Sequence, residues 1–69
     1  MLDKKIEFFI ATVETGSFSG AARKLMLSQS AVSQQINLLE EELAVKLFDR
    51  SNYRPRLTRA GEFLSLIHI

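Results

Sequence analysis

Residues 16–43 read GSFSGAARKLMLSQSAVSQQINLLEEEL, and this stretch decides the fold because it writes two consecutive helices joined by a short turn. In the second of them Ser28 stands as the N-cap. Val32, Ile36, Leu39 and Leu43 then follow at intervals of 4, 3 and 4, the spacing of one buried helical stripe. At about 100° per residue, Ser30, Ser33, Gln34, Asn37 and Glu41 fall on the opposite side. A solvated helix face ordinarily carries Lys and Glu. Here two full turns offer only Ser, Gln and Asn before Glu40, Glu41 and Glu42 arrive, so the face is neutral, hydrogen-bonding and begins at a capped helix end.

The preceding helix is the brace. Ser17 caps it, Ala21, Ala22 and Leu25 give it a narrow apolar side, and alanines in both helices, Ala31 included, let the two backbones approach closely. Only Met26 to Ser28 separate the pair. That length fits a helix-turn-helix, in which two helices meet at roughly 90 to 120° across about 3 to 4 residues. Such turns often hold glycine, and this one has none. Leu27, lying between two apolar stripes, is expected to plug the core beneath the turn. Gln and Asn can form paired hydrogen bonds to adenine, and Ser can serve several base edges of DNA. Gln29, Ser30, Ser33, Gln34 and Asn37 are therefore the candidates for base-edge or nearby phosphate contact, with Gln29 toward the helix flank. Three carboxylates beside a phosphate backbone would be repelled, so the N-terminal half of this helix must meet the duplex while the acidic half is directed away.

Upstream, Leu2 and Asp3 open a helix in which Ile6, Phe9, Ile10 and Val13 follow the i, i+3, i+4, i+7 template, and Gly16 stands in a C-terminal capping position. Phe8 falls off that stripe and Phe18 begins the next helix. Both are read as core or subunit-contact residues rather than platforms for stacked bases. Downstream of Leu43, residues 45–58 (VKLFDRSNYRPRLT) read as a short hairpin. Leu47 and Phe48 enter the core, Ser51, Asn52 and Tyr53 supply turn chemistry, and Pro55 marks an edge strand. Alternation puts Arg54 and Arg56 on one face. Beside a base-reading helix they become a phosphate or minor-groove clamp. Arg50 either joins them or pairs with Asp49 or a helix carboxylate; Tyr53 either bonds a phosphate or covers the hairpin.

Thr58 is the N-cap of a last helix, TRAGEFLSLIHI, with Ala60, Phe63, Leu64 and Ile67 on one side. Its apolar end falls far short of the roughly 20 residues a membrane span needs and is expected to dock on a partner. His68 has no companion histidine, cysteine or suitably placed carboxylate, so no metal site is expected. The chain of 69 residues makes one small domain with a thin core, burying only about 60% of its unfolded surface. Its 46% hydrophobic and 25% charged residues exclude a disordered or membrane-spanning class. The absence of cysteine rules out disulfides and cysteine-ligated metals and is compatible with a reducing cytosol. At the N-terminus Asp3 and two lysines lead into an amphipathic segment, which is not a signal-peptide pattern. The net charge of +1 conceals a division: before residue 46, four basic against six acidic groups leave −2, and from there on five against two leave +3. Positive charge thus gathers beyond the candidate reading helix.

Four segments, FFIATVETGSFSGAARKL, LSQSAVSQQINLLEEEL, KLFDR and RLTRAGE, stand in the order and spacing of one family. Over residues 2 to about 64 the chain resembles the N-terminal DNA-binding domain of a LysR-type transcriptional regulator. The resemblance implies a mainly α, winged helix-turn-helix fold: a three-helix core, a two-stranded β wing and the start of a linker helix. It implies a binding domain over 1–58, with the helix-turn-helix at 18–37 and the wing at 45–57 carrying Arg50, Arg54 and Arg56, and a truncated linker-helix start over 59–69. It further implies double-stranded DNA as partner, a homodimer formed through the completed linker helix, and a bacterial cytoplasm with the protein at the nucleoid. Family members continue into an effector-binding domain of two α/β lobes, which does not follow here. A small-molecule inducer would bind there and RNA polymerase would be a partner of the full-length protein, so no cofactor is expected in this chain.

Three residues depart from the family pattern. Ala44 stands where glycine is usual after the reading helix, and because alanine resists positive φ it is expected to tighten or shift the exit turn. Gln34 replaces a basic residue carried by many members, which removes one phosphate or guanine contact. The terminal SLIHI does not resemble the linker helix. Two other classes compete with DNA binding: a protein-interaction module using the apolar tail and the Phe8 region, which salt-dependent duplex binding would separate, and an enzyme. The second lacks paired carboxylates, a nucleophile with its base, or a glycine-rich phosphate loop.

Overall fold

The computed structural model describes residues 2–51 and 55–68. The elements are α1 (Leu2–Thr15), α2 (Phe18–Leu25), α3 (Gln29–Leu43), β1 (Phe48–Asp49), β2 (Arg56–Leu57) and α4 (Arg59–His68). The two strands pair antiparallel, Phe48 opposite Leu57 and Asp49 opposite Arg56. This is a winged helix-turn-helix. The helix starts are set by the serines that the sequence marks: Ser17 Oγ accepts from the Gly20 amide at 2.9 Å and Ser28 Oγ from the Ala31 amide at 3.1 Å. Gly16 ends α1 at φ 79°, its amide returning to the Thr12 carbonyl.

The ends of α2 and α3 reach the same left-handed conformation without glycine. Met26 (φ 59°, ψ 44°) closes α2 and Ala44 (φ 59°, ψ 30°) closes α3, each sending its amide back to carbonyls of the last turn. The exit turn at Ala44 is therefore neither tightened nor shifted away from positive φ, and the backbone bears the strain instead. At Met26 the chain folds back on α2, with the Leu27 amide 2.9 Å from the Ala22 carbonyl. This geometry throws both turn side chains outward. Leu27 is 46% exposed and does not plug the core, contrary to expectation.

The helix α1 packs on α2 and α3, and α2 packs on α3. Phe9, Val32, Ile36, Leu39 and Leu47 are fully buried, and each such side chain contributes about 1.5–3 kcal/mol of transfer free energy. Ala21 and Ala22 are buried between the helices, and Phe8, Ile10, Val13, Phe18 and Leu25 close over the cluster. The Phe48 ring lies 5.5 Å from the rings of both Phe9 and Phe18, in tilted and edge-on geometry. Those contacts anchor the root of the wing to the helical core.

Thr58 organises the start of α4. Its amide donates to the Leu47 carbonyl at 3.0 Å, its hydroxyl donates to the Lys46 carbonyl at 2.6 Å, and that hydroxyl accepts from the Gly61 amide at 3.1 Å. Gly61 lies so close to the wing root that a Cβ there would stand 2.2 Å from the Leu47 carbonyl oxygen. Ala60 and Leu64 pack on the core, whereas Phe63, Leu66 and Ile67 are mostly exposed. The single apolar side expected for α4 is split: Phe63 faces outward, and Ile67 lies past the last packed residue.

Candidate nucleic-acid interface

The amphipathic register of α3 settles which side chains leave the core. With Val32, Ile36 and Leu39 turned in, Gln29, Ser30, Ser33, Gln34 and Asn37 line one shared shallow concavity along the first half of the helix. Gln29, Ser30, Gln34 and Asn37 are exposed and Ser33 is half-buried. The free amides of the first turn add the positive end of the helix dipole at the same place. Asn37 also borders a second groove with Lys46, Arg50 and Thr58, so the amide-rich face runs directly into the wing.

Glu40 departs from the expected picture. Glu41 and Glu42 are exposed on the distal half of α3, but Glu40 is only 4% exposed and turned inward. Its Oε2 accepts from the amides of Leu47 at 2.7 Å and Phe48 at 3.2 Å. Lys46 Nζ and Arg50 Nη2 each stand 3.9 Å from Oε1. A carboxylate read as part of a repelled acidic end is instead a clamp between the reading helix and the wing. One signal in the sequence points to it: Glu40 follows Ile36 by four residues and sits on the edge of the buried stripe.

Arg50 takes the helix-carboxylate alternative. Besides Glu40, its Nη1 donates to Ser33 Oγ at 3.2 Å, and its guanidinium lies 4.6 Å from the centroid of the Phe18 ring. Arg56 is exposed on β2, opposite Asp49. Asp49 is itself held below the ordinary carboxylate range, first by the Ser51 hydroxyl and then by the Ser51 amide, with the charge of Arg56 adding to the effect. Arg54, Tyr53 and Asn52 lie outside the described residues. Among the described residues no group of three or more His, Cys, Asp or Glu could hold a metal ion, and no helix is long and apolar enough to cross a membrane.

The comparisons with known proteins agree with this geometry. The profile described as "Bacterial regulatory helix-turn-helix protein, lysR family" matches residues 4–62. The chain belongs to the LysR family. An uncharacterized HTH-type transcriptional regulator of Azotobacter vinelandii is 55% identical over 56 residues, 81% of this chain and 39% of its own length. The HTH-type transcriptional activator AaeR of Escherichia coli K12 is 48% identical over 58 residues, 84% of this chain and 19% of its own. This LysR-family chain therefore spans well under half the length of those curated relatives. Among solved structures, a BenM_DBD/catB site 1 DNA complex superposes with a TM-score of 0.88 at 38% identity, covering 93% of this chain and 72% of that one. A CbnR_DBD-DNA complex gives 0.87 at 34% identity, over 93% and 74%.

Proposed function

We propose that this LysR-family domain binds double-stranded DNA sequence-specifically, as the reading module of a bacterial transcription regulator. The observation that carries the reading is the concavity of α3: five neutral hydrogen-bonding side chains, gathered at a capped helix start and bordered by the cations of the wing. Two similar domains captured in DNA complexes support it. In this reading the first half of α3 lies in the major groove. Gln34 and Asn37 match the donor and acceptor pair of adenine, and the α3 N-terminus meets a phosphate. Arg56 and Arg54 reach phosphates or the adjoining minor groove from the wing.

The reading unit is residues 1–58, with the helix-turn-helix at 18–37 and the wing at 45–57, and α4 begins a linker. The exposed strip of Phe63, Leu66 and Ile67 on α4 is the surface a second copy would cover in a homodimer. Two half-sites would then lie about 34–36 Å apart or at multiples of that distance. In a longer protein of this kind, a further domain would take the small-molecule inducer and the whole protein would meet RNA polymerase, in the cytoplasm at the nucleoid.

Selection of duplexes from a random pool, followed by salt titration of the winners, tests the reading. Arg56→Ala should weaken binding to all sequences and lower the salt slope by about 0.9, the release from one phosphate. Gln34→Ala should alter preference at one base pair, by about 1–3 kcal/mol. A parent chain that enriches no sequence from the pool would end the proposal.

A further inference from the structure

We infer that Arg50 is a positioning residue for sequence reading: by donating to Ser33 it fixes that hydroxyl as a hydrogen-bond donor aimed at an acceptor on a base edge. The inference rests on the DNA-reading function proposed above and adds a specificity device to it. A serine hydroxyl has one hydrogen and two lone pairs, and by rotation it can donate or accept. Here Arg50 Nη1, 3.2 Å from Ser33 Oγ, occupies a lone pair, and its positive charge turns the hydroxyl hydrogen away. The side chain shares its concavity with Gln29, Ser30, Gln34 and Asn37, so that hydrogen is directed to the surface where a duplex edge would lie. A hydroxyl that accepts from a cation is also a stronger donor.

The Arg50 side chain is 34% exposed, and partners on two helices hold its guanidinium beside Ser33. It covers the Phe18 ring at 4.6 Å, and its Nη2 faces the Glu40 carboxylate at 3.9 Å. Glu40 is in turn held by the Leu47 and Phe48 amides. Arg50 is thereby gripped from α2 and α3, with its charge partly balanced by a buried carboxylate. In the major groove the acceptors are purine N7, guanine O6 and thymine O4, whereas cytosine offers only a donor. Ser33 in this state donates to the former, whereas cytosine leaves that hydrogen without an acceptor.

The test uses the 69-residue chain and duplexes selected by it from a random pool, with single-position changes measured across a salt series. Ser33→Ala, Arg50→Met and the double variant are compared with the parent; methionine keeps an unbranched stem over Phe18 and removes the donor. Each single variant should flatten preference at the same base pair by on the order of three- to tenfold, the worth of one hydrogen bond. The double variant should lose no more than either single one, and the salt slope should match the parent's. A measurement on the parent is independent of how Arg50→Met folds: removing a purine N7 at that position with a 7-deazapurine should cost the parent the same factor, weakening a thymine O4 with 4-thiothymine should cost part of it, and neither should cost Ser33→Ala anything. A salt slope lowered by about 0.9 in Arg50→Met with base preferences intact would make Arg50 a direct phosphate ligand and overturn the inference. Additive single variants, or a parent indifferent to the missing acceptor, would do the same. A parent without salt-dependent duplex binding removes the proposed function and this inference together.

Discussion

Removing the Glu40 carboxylate should unfasten the wing from the reading helix. Two buried amides, those of Leu47 and Phe48, depend on one oxygen of that side chain, and two cations stand 3.9 Å from the other. A buried donor left without an acceptor costs about 1–3 kcal/mol, and breaking a buried charged network costs about 3–5 kcal/mol. Glu40→Ala is accordingly expected to lose about 3–5 kcal/mol. A domain of this length holds about 3–10 kcal/mol in all, at roughly 0.05–0.15 kcal/mol per residue. Glu40→Gln keeps a carbonyl oxygen for both amides and forfeits only the charge assistance, about 1–2 kcal/mol. At 4–8 °C per kcal/mol for a domain of this size, its melting midpoint should fall by roughly 4–16 °C. Thermal melts followed by circular dichroism give the totals, and hydrogen exchange at the Leu47 and Phe48 amides shows where the loss lies. If Glu40→Ala melts within about 4 °C of the parent, or those two amides exchange no faster, the clamp has been misjudged.

Gly61→Ala should cost about 3 kcal/mol, the upper end of overpacking penalties, because the added methyl meets the Leu47 carbonyl and the Leu57 side chain rather than a yielding surface group; denaturant titration measures it, and a change below 1 kcal/mol would show that α4 can lift away freely. Ala44→Gly should raise stability by about 0.5–1 kcal/mol, since the exposed methyl packs on little and its removal relieves φ 59°; an unchanged or lower midpoint would contradict the strain argument. Asp49 should titrate below 3.8 in the folded chain, because the Ser51 donors favour its ionised form. The stabilisation is fully present above the unfolded-state value and is lost as pH falls through the lower folded one. Carboxyl resonances followed by NMR through that window should move together with the Ser51 amide, and a midpoint at or above 3.8 counts against those bonds.

Local patterns carried the reading of the helices and caps. Ser17 and Ser28 precede apolar periodicity and find the amides three residues on, because capping is decided within one turn of chain. The stripe of α3 likewise named Ser30, Ser33, Gln34 and Asn37 by angular exclusion, while Gln29 joins them in the concavity from the helix flank and Glu41 does not. What escaped depends on an unforeseen backbone conformation or on distant partners. Leu27 looked like a plug because its neighbours are apolar, yet the left-handed Met26 before it turns it outward. Glu40 looked like one of three equivalent carboxylates, and only the arrival of the Leu47 and Phe48 amides distinguishes it from Glu41 and Glu42. Gly61 reads as an indifferent helix residue until the carbonyl it must clear is in view.

The backbone of Leu47 is held on both sides of its Cα: its N–H by Glu40 and its C=O by the amide of Thr58, with Gly61 pressed against that oxygen. Peptide units are planar and resist twisting. Leu47 joins two of them, and each is held from one side: the plate carrying its N–H by α3, and the plate carrying its C=O by the foot of α4. The foot of α4 and the far end of α3 thus share one anchor, a single buried residue of backbone.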